Sequence, residues 1–167
     1  MFQDFKKPEF ETFVTETFII LSELKFIIKN LEKWAKPEKV GSSWINFPSS
    51  DFIYQQPYGN VLVLAPWNYP FQLSVSPVIG ALAAGNTVVL KPSEYSPHTS
   101  KVIEDIFKEI YPPEVVSVVQ GGVSAAEKLL EQKWDYVFFT GSVPVGRIVA
   151  KAIAPHLTPA TLEVYET

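Results

Sequence analysis

The chain has 167 residues, 47% hydrophobic and 19% charged, so it can bury a real core as one folded domain and is not a disordered tether. Its formal net charge of −4, with Arg147 the only arginine, denies it the basic face that nucleic-acid binding needs. Cysteine is absent, which excludes disulfides, Cys-ligated zinc, iron–sulfur clusters and a thiol nucleophile within these residues.

Residues 1–10 mix charges with Phe and lack an apolar signal core. No run of about 20 apolar residues could span a bilayer. A cytoplasmic location is the expectation. Residues 11–34 read as a helix, because Phe13, Leu24, Ile27, Ile28, Leu31 and Trp34 recur at three- and four-residue steps and form one apolar stripe. Lys36-Pro37 ends it, since the residue before Pro avoids helical angles. Two extended pieces, 43–47 and 52–56, flank Pro48-Ser49-Ser50-Asp51, which has turn chemistry. They predict a hairpin arm, with an ordinary surface loop as the other reading.

From Asn60 onward the pattern changes. Val61-Leu62-Val63-Leu64 is apolar at every position, as in a strand covered on both faces. A helix is predicted over 70–84, stopped by Gly85-Asn86. The next elements are a strand at 87–90, a helix at 97–111 ended by Pro112-Pro113, and a strand at 115–119. A helix at 124–131, a strand at 136–139, a helix at 145–154 and a strand at 161–164 complete the series. Alternation of this kind predicts right-handed βαβ units and an α/β fold, a parallel sheet with helices on both faces. Ligands of such sheets bind beyond the carboxyl ends of the strands, so the residues after each strand carry the functional reading.

Asn68, in Ala65-Pro66-Trp67-Asn68-Tyr69-Pro70, offers an amide to a developing oxyanion, or is a turn Asn bonding its own backbone. Lys91 and Glu94 can hydrogen-bond ribose hydroxyls, or form a solvated loop with a Glu near a helix start. Glu94 would repel a 2′-phosphate. Gly121 and Gly122 permit close approach of backbone to a ligand, and are equally a plain turn. Thr140-Gly141-Ser142-Val143-Pro144-Val145-Gly146 is a Gly-Ser-x-x-x-Gly turn opening a helix, suited to a pyrophosphate or simply structural. Glu163, in Thr161-Leu162-Glu163-Val164 of the last strand, can take a proton from a thiol or water, or is a surface Glu. No metal site is expected.

Together these segments resemble the aldehyde dehydrogenase superfamily, most strongly its class 3-like branch, which includes fatty aldehyde dehydrogenases. The resemblance rests on Pro57-Tyr58-Gly59-Asn60-Val61, on Ala65-Pro66-Trp67-Asn68-Tyr69-Pro70-Phe71 and on Ala83-Ala84-Gly85-Asn86-Thr87-Val88-Val89-Leu90-Lys91-Pro92-Ser93-Glu94. It extends to Phe138-Phe139-Thr140-Gly141-Ser142, to Thr158-Pro159-Ala160-Thr161-Leu162-Glu163 and to the helix end Leu31-Glu32-Lys33-Trp34.

The resemblance implies a Rossmann-like NAD(P)-binding domain at 58–167, preceded by an N-terminal helical segment at 1–42 and a hairpin arm of oligomerisation type at 43–57. It implies NAD(P)+-dependent oxidation of an aldehyde to a carboxylic acid. In these roles Asn68 would hold the oxyanion, Glu163 would be the general base, and Lys91 and Glu94 would bind the ribose. Pro66 and Trp67 would wall the nicotinamide. Gly141, Ser142 and Gly146 would form the pyrophosphate turn, with Gly121 nearby and Val145 beside the adenine. NAD is favoured over NADP by Glu94. The chain departs from the family at Val164-Tyr165-Glu166-Thr167, where the family has Leu-Gly-Gly-Lys. It ends before the family's catalytic Cys and begins inside the family's usual N-terminal region. The expectation is a truncated, coenzyme-binding fragment that forms a homo-oligomer and is inactive alone. The alternative is a non-catalytic partner that pairs with full-length dehydrogenase chains.

Overall fold

The computed structural model describes residues 1–165. Two short helices, α1 (Phe2–Phe5) and α2 (Glu9–Thr12), open the chain. Helix α2 continues through a π turn, Phe13–Thr17, into α3 (Phe18–Trp34). Strands β1 (Glu38–Val40) and β2 (Asp51–Ile53) then form an antiparallel ribbon, with Val40 opposite Asp51 and Glu38 opposite Ile53.

The body of the molecule follows as β3 (Asn60–Leu64), α4 (Gln72–Ala83), β4 (Thr87–Lys91), α5 (Pro97–Ile110), β5 (Val116–Val118), α6 (Val123–Leu130), β6 (Tyr136–Ser142), α7 (Val143–Ile153) and β7 (Ala160–Tyr165). The five strands β3 to β7 are all parallel, in the order β5-β4-β3-β6-β7. The chain moves from β3 outward through β4 to β5, then returns to the other side of β3 for β6 and β7. The two directions part at the carboxyl ends of β3 and β6, where open α/β sheets form their ligand crevice.

Successive side chains of a strand point to opposite faces, and here each face has its own core. Val61, Val63, Val88, Leu90 and Val116 meet Ile20 of α3, Val75, Val78 and Ile79 of α4, and Ile103 and Phe107 of α5. Leu62, Leu64, Val137 and Phe139 meet Leu130 of α6 and Val149 and Ile153 of α7. The unbroken apolar run at 61–64 is thus explained by burial on both sides. Gly85 and Asn86 end α4 as expected. The Asn86 amide donates to the Ala81 carbonyl and its oxygen accepts from the Gly59 N–H, which ties the helix end to the start of β3.

The structure differs from the sequence reading at four places. First, the buried residues of the long N-terminal helix are Glu16 and Ile20, with Leu24 and Ile27 packed on the core, while Phe13, Ile28 and Trp34 of the expected stripe are exposed. The apolar arc of α3 is wider than the strip that packs on α4, so Ile20, Leu24 and Ile27 are covered while Ile28 and Trp34 on the same arc stay outside. Second, the ribbon pairs β2 with 38–40 and not with 43–47. Ser43 caps a 3₁₀ turn, Trp44–Asn46, through an Ile45 N–H to Ser43 Oγ bond of 3.4 Å, and this local bond replaces an extended strand. Third, β6 runs on through Thr140 and Gly141 to Ser142, because each pairs with β7. Fourth, β7 runs from Ala160 to Tyr165, longer than the expected 161–164, with Glu163 inside it and opposite Thr140. Among the described residues no helix is long and apolar enough to cross a membrane.

Leu62 is fully buried against α6 and α7, so Leu62→Ala costs about 2–5 kcal/mol in urea unfolding. Gly80 sits in the middle of α4 with open space around its Cα, so Gly80→Ala instead adds about 0.5–1 kcal/mol.

Candidate functional site

The loops after β4 and β5 enclose a cleft of about 160 Å³ lined by Pro92, Ser93, Glu94, Pro97, Ser100, Gln120, Gly121 and Gly122. Lys91, the last residue of β4, is 6% exposed and donates from Nζ to Glu94 Oε2 at 2.7 Å. The lysine stem is covered, and its charge is matched by a carboxylate that faces the cleft. Glu94 Oε1 lies 3.8 Å from where a Cβ on Gly122 would stand. Burial opposes ionisation of Glu94, but the hydrogen bond and charge of Lys91 outweigh it, and the carboxyl group titrates below its usual 4.5. The pair therefore presents a fixed carboxylate acceptor at the rim. Gly121 has φ +144°, and a Cβ there would stand 2.7 Å from Ala125 Cβ, so only glycine fits the turn that brings Gln120 and Gly122 to the cleft.

Beyond β3, Pro66 and Pro70 are buried, while Trp67, Asn68 and Tyr69 between them are exposed. The loop is anchored by the Ala65 N–H, which donates to the Lys91 carbonyl at 3.1 Å. The β3 and β4 ends thus move together. Beyond β6, Ser142 is the N-cap of α7 in extended conformation, and its hydroxyl caps no helical N–H. The first N–H groups of α7 are unbonded within the helix. Gly141 is buried beside Phe139, and Gly146 sits where a Cβ would stand 2.7 Å from Val164 Cγ1. Absence of a side chain at Gly146 lets α7 lie close on the sheet. Val145, one residue earlier, is exposed on the same first turn.

Glu163 occupies a different space. Thr140 Oγ1 donates to its Oε2 at 3.2 Å across the β6–β7 pair. It lines a groove of about 530 Å³ between α4 and the β6–β7 half of the sheet, with Gln72, Leu73, Tyr58, Tyr136 and Phe138. The fold therefore brings Lys91, Glu94 and Gly121 to one cleft, and places Glu163 in a separate groove that reaches the first turn of α4, just after Asn68. Among the described residues no cluster of His, Cys, Asp and Glu could hold a metal ion.

Sequence reading missed three residues that meet the Asn68 loop from the N-terminal segment. Phe5 lies 6.0 Å from the Trp67 ring, Lys7 Nζ lies 4.5 Å above Tyr69, and Glu16 accepts from the Phe71 and Gln72 N–H groups. Only one signal pointed that way, a Glu within an otherwise apolar helix face.

A parallel sheet that reverses its strand order beside β3, a strand-end Lys–Glu pair and an open helix N-terminus define a Rossmann-like nucleotide-binding domain. The sequence model of the aldehyde dehydrogenase family matches residues 7–164, and the chain belongs to that family. It is 47% identical over 161 residues to aldehyde dehydrogenase family 3 member H1 of Arabidopsis thaliana, covering 96% of this chain and 33% of that protein. The structure titled as the substrate-bound state of Staphylococcus aureus AldH superposes with a TM-score of 0.96 at 42% identity, over 98% of this chain and 36% of that one. An aldehyde dehydrogenase of Mycobacterium tuberculosis complexed with NAD+ superposes with a TM-score of 0.84 at 30% identity, over 96% of this chain and 33% of that one. The chain spans about a third of the length of the relatives it matches.

Because Glu94 is depressed in the folded state, its pairing stabilises the fold above the unfolded value of 4.5 and that contribution is lost as pH falls through the lower folded value. Glu94→Gln should therefore melt below the wild type at neutral pH, and the gap should close as pH drops below about 4.5. A melting-temperature difference independent of pH would contradict the pairing.

Proposed function

We propose that residues 58–167 are the coenzyme-binding half of an aldehyde-oxidising site, with NAD+ favoured over NADP+. The observation that carries this reading is the buried Lys91 locked to Glu94 at the rim of the cleft. A carboxylate held there accepts from ribose hydroxyls and repels a 2′-phosphate, which selects against NADP+. The open N-terminus of α7 and the uncommitted Ser142 hydroxyl suit a pyrophosphate. Gly141 and Gly146 let that turn lie close to the sheet, and Gly121 lets the β5 loop do the same. Val145 stands beside the adenine, and Pro66 and Trp67 wall the nicotinamide.

The coenzyme supplies the hydride acceptor when bound. The chain's own residues do the rest of what this half contributes. Asn68 donates its amide to the oxyanion that develops as the aldehyde carbonyl is attacked. Glu163, exposed in its groove and oriented by Thr140, is the base that takes a proton from a thiol or water. No thiol is among these residues, since none of the 167 is a cysteine. The covalent route cannot run without it, so the 167 residues bind coenzyme and oxidise no aldehyde on their own.

Calorimetric titration with NAD+ should show weak binding, with Kd near 1 mM or about −4 kcal/mol, and weaker binding of NADP+. Glu94→Ala should narrow that preference. Absence of heat up to several millimolar NAD+ would count against the reading, and NADH formation from an aldehyde by pure protein would overturn the inactivity.

One further feature favours assembly into a homo-oligomer. The β1–β2 arm and its 3₁₀ turn expose Trp44, Ile45 and Phe47, of which Trp44 and Phe47 are each 86% exposed. Apolar patches of this kind mark contact surfaces, and the same arm is what a non-catalytic partner of full-length dehydrogenase chains would use. Sedimentation should show a dimer or larger species that Trp44→Ser with Phe47→Ser shifts toward monomer. A wild-type monomer at high concentration would contradict it.

A further inference from the structure

The stretch Trp67 to Gln72 is held by the N-terminal segment at Trp67, Tyr69, Phe71 and Gln72. Phe5 lies 6.0 Å from the Trp67 ring at 41°. Lys7 Nζ stands 4.5 Å over the Tyr69 ring. Glu16 Oε2 accepts from the Phe71 N–H at 2.8 Å and the Gln72 N–H at 3.2 Å, while its Oε1 accepts from Lys7 Nζ at 2.6 Å.

Glu16 is fully buried. A buried carboxylate without partners is strongly disfavoured, and this one has three, one of them a cation. Two of its partners are N–H groups at the start of α4, which have no acceptor inside the helix and carry its positive end. Lys7 then links that cap to Tyr69. The π turn at Phe13–Thr17 lies where Glu16 reaches α4, and such turns are frequent at functional sites. Asn68 stands between the two held aromatic residues, exposed, and its own amide makes no hydrogen bond among the described residues. The backbone on both sides of Asn68 is therefore fixed while its donor stays free.

Asp4 does the same for the neighbouring loop. It accepts from the His98 N–H, the Thr99 N–H and the Thr99 hydroxyl at the start of α5, beyond Lys91 and Glu94.

We propose that Phe5, Lys7 and Glu16 form a clamp that positions Asn68, with Glu16 as its centre. The proposal rests on the reading of Asn68 as the oxyanion donor. A donor aimed in advance needs no reorganisation when charge develops, which is the source of its effect. The clamp touches no substrate and acts only through the loop.

Amide hydrogen exchange of the 167-residue chain, followed by NMR, tests it. Glu16→Ala should raise exchange at Phe71 and Gln72 by about tenfold or more and broaden the Asn68 side-chain amide signals. Amides of Val63 and Leu90 in the sheet should stay within about twofold. Glu16→Gln, which keeps a carbonyl acceptor, should restore part of the protection and sharpen the Asn68 signals again. An unchanged Asn68 signal, or an equal rise in exchange throughout the sheet, overturns the clamp. Should Glu16→Ala unfold the chain, Phe5→Ala decides. Broadening confined to Trp67 and Asn68 supports the clamp, and no change there overturns it. Adding NAD+ to the wild type is a separate arm. Failure to shift the Lys91 and Ser142 signals would sink the coenzyme reading, while the exchange pattern would still decide the clamp.

Discussion

Strand β3 is hydrogen-bonded to β4 on one side and β6 on the other, and its side chains feed two separate cores. A strand in that position has no free edge and no solvated face, so it can carry only apolar side chains between its ends. It also fixes where the chain reverses direction across the sheet. At the carboxyl ends of β3 and β6 the connections leave on opposite sides, the place where open α/β sheets take their ligands. The Asn68 loop, the Lys91–Glu94 pair and the Ser142 turn all stand at this end of the sheet.

Electrostatics at that end follow one rule: each buried charge is matched by a partner that also shapes a loop. Lys91 would be disfavoured in its covered position without Glu94. Glu16 would be disfavoured beneath α4 without Lys7 and two helix N–H groups. Each pairing removes an energetic penalty and at the same time restricts backbone that borders the crevice. Polar burial here serves geometry more than net stability, because a paired buried charge contributes little once its desolvation is offset.

The two cores are unequal in cover. On the α6–α7 face, Phe139 and Leu162 are packed under helices. On the other face, α4 covers β3 and β4, and the β6–β7 half stays open as the groove that holds Glu163. Within it Glu163 is held by its strand and by Thr140.

The five strands of the parallel sheet, the helices between them and the stretches bearing Asn68, Lys91, Glu94 and Ser142 were legible in the sequence. They depend on local properties, namely runs of apolar residues, glycine and proline stops, and motifs a few residues long. Other features needed the folded chain. Whether Thr140 to Ser142 belong to a loop or a strand depends on pairing between β6 and β7, which local composition does not encode. Which part of α3's apolar arc is buried depends on where α4 lies, because that arc is wider than the contact. Glu16 meets Phe71 across 55 residues and Asp4 meets Thr99 across 95, and no periodicity spans such distances. Short-range chemistry determined by itself which segments fold and which residues line their ends. Only the tertiary structure decided which side chains hold those ends in place, because the partners of a helix N-terminus come from wherever the chain returns.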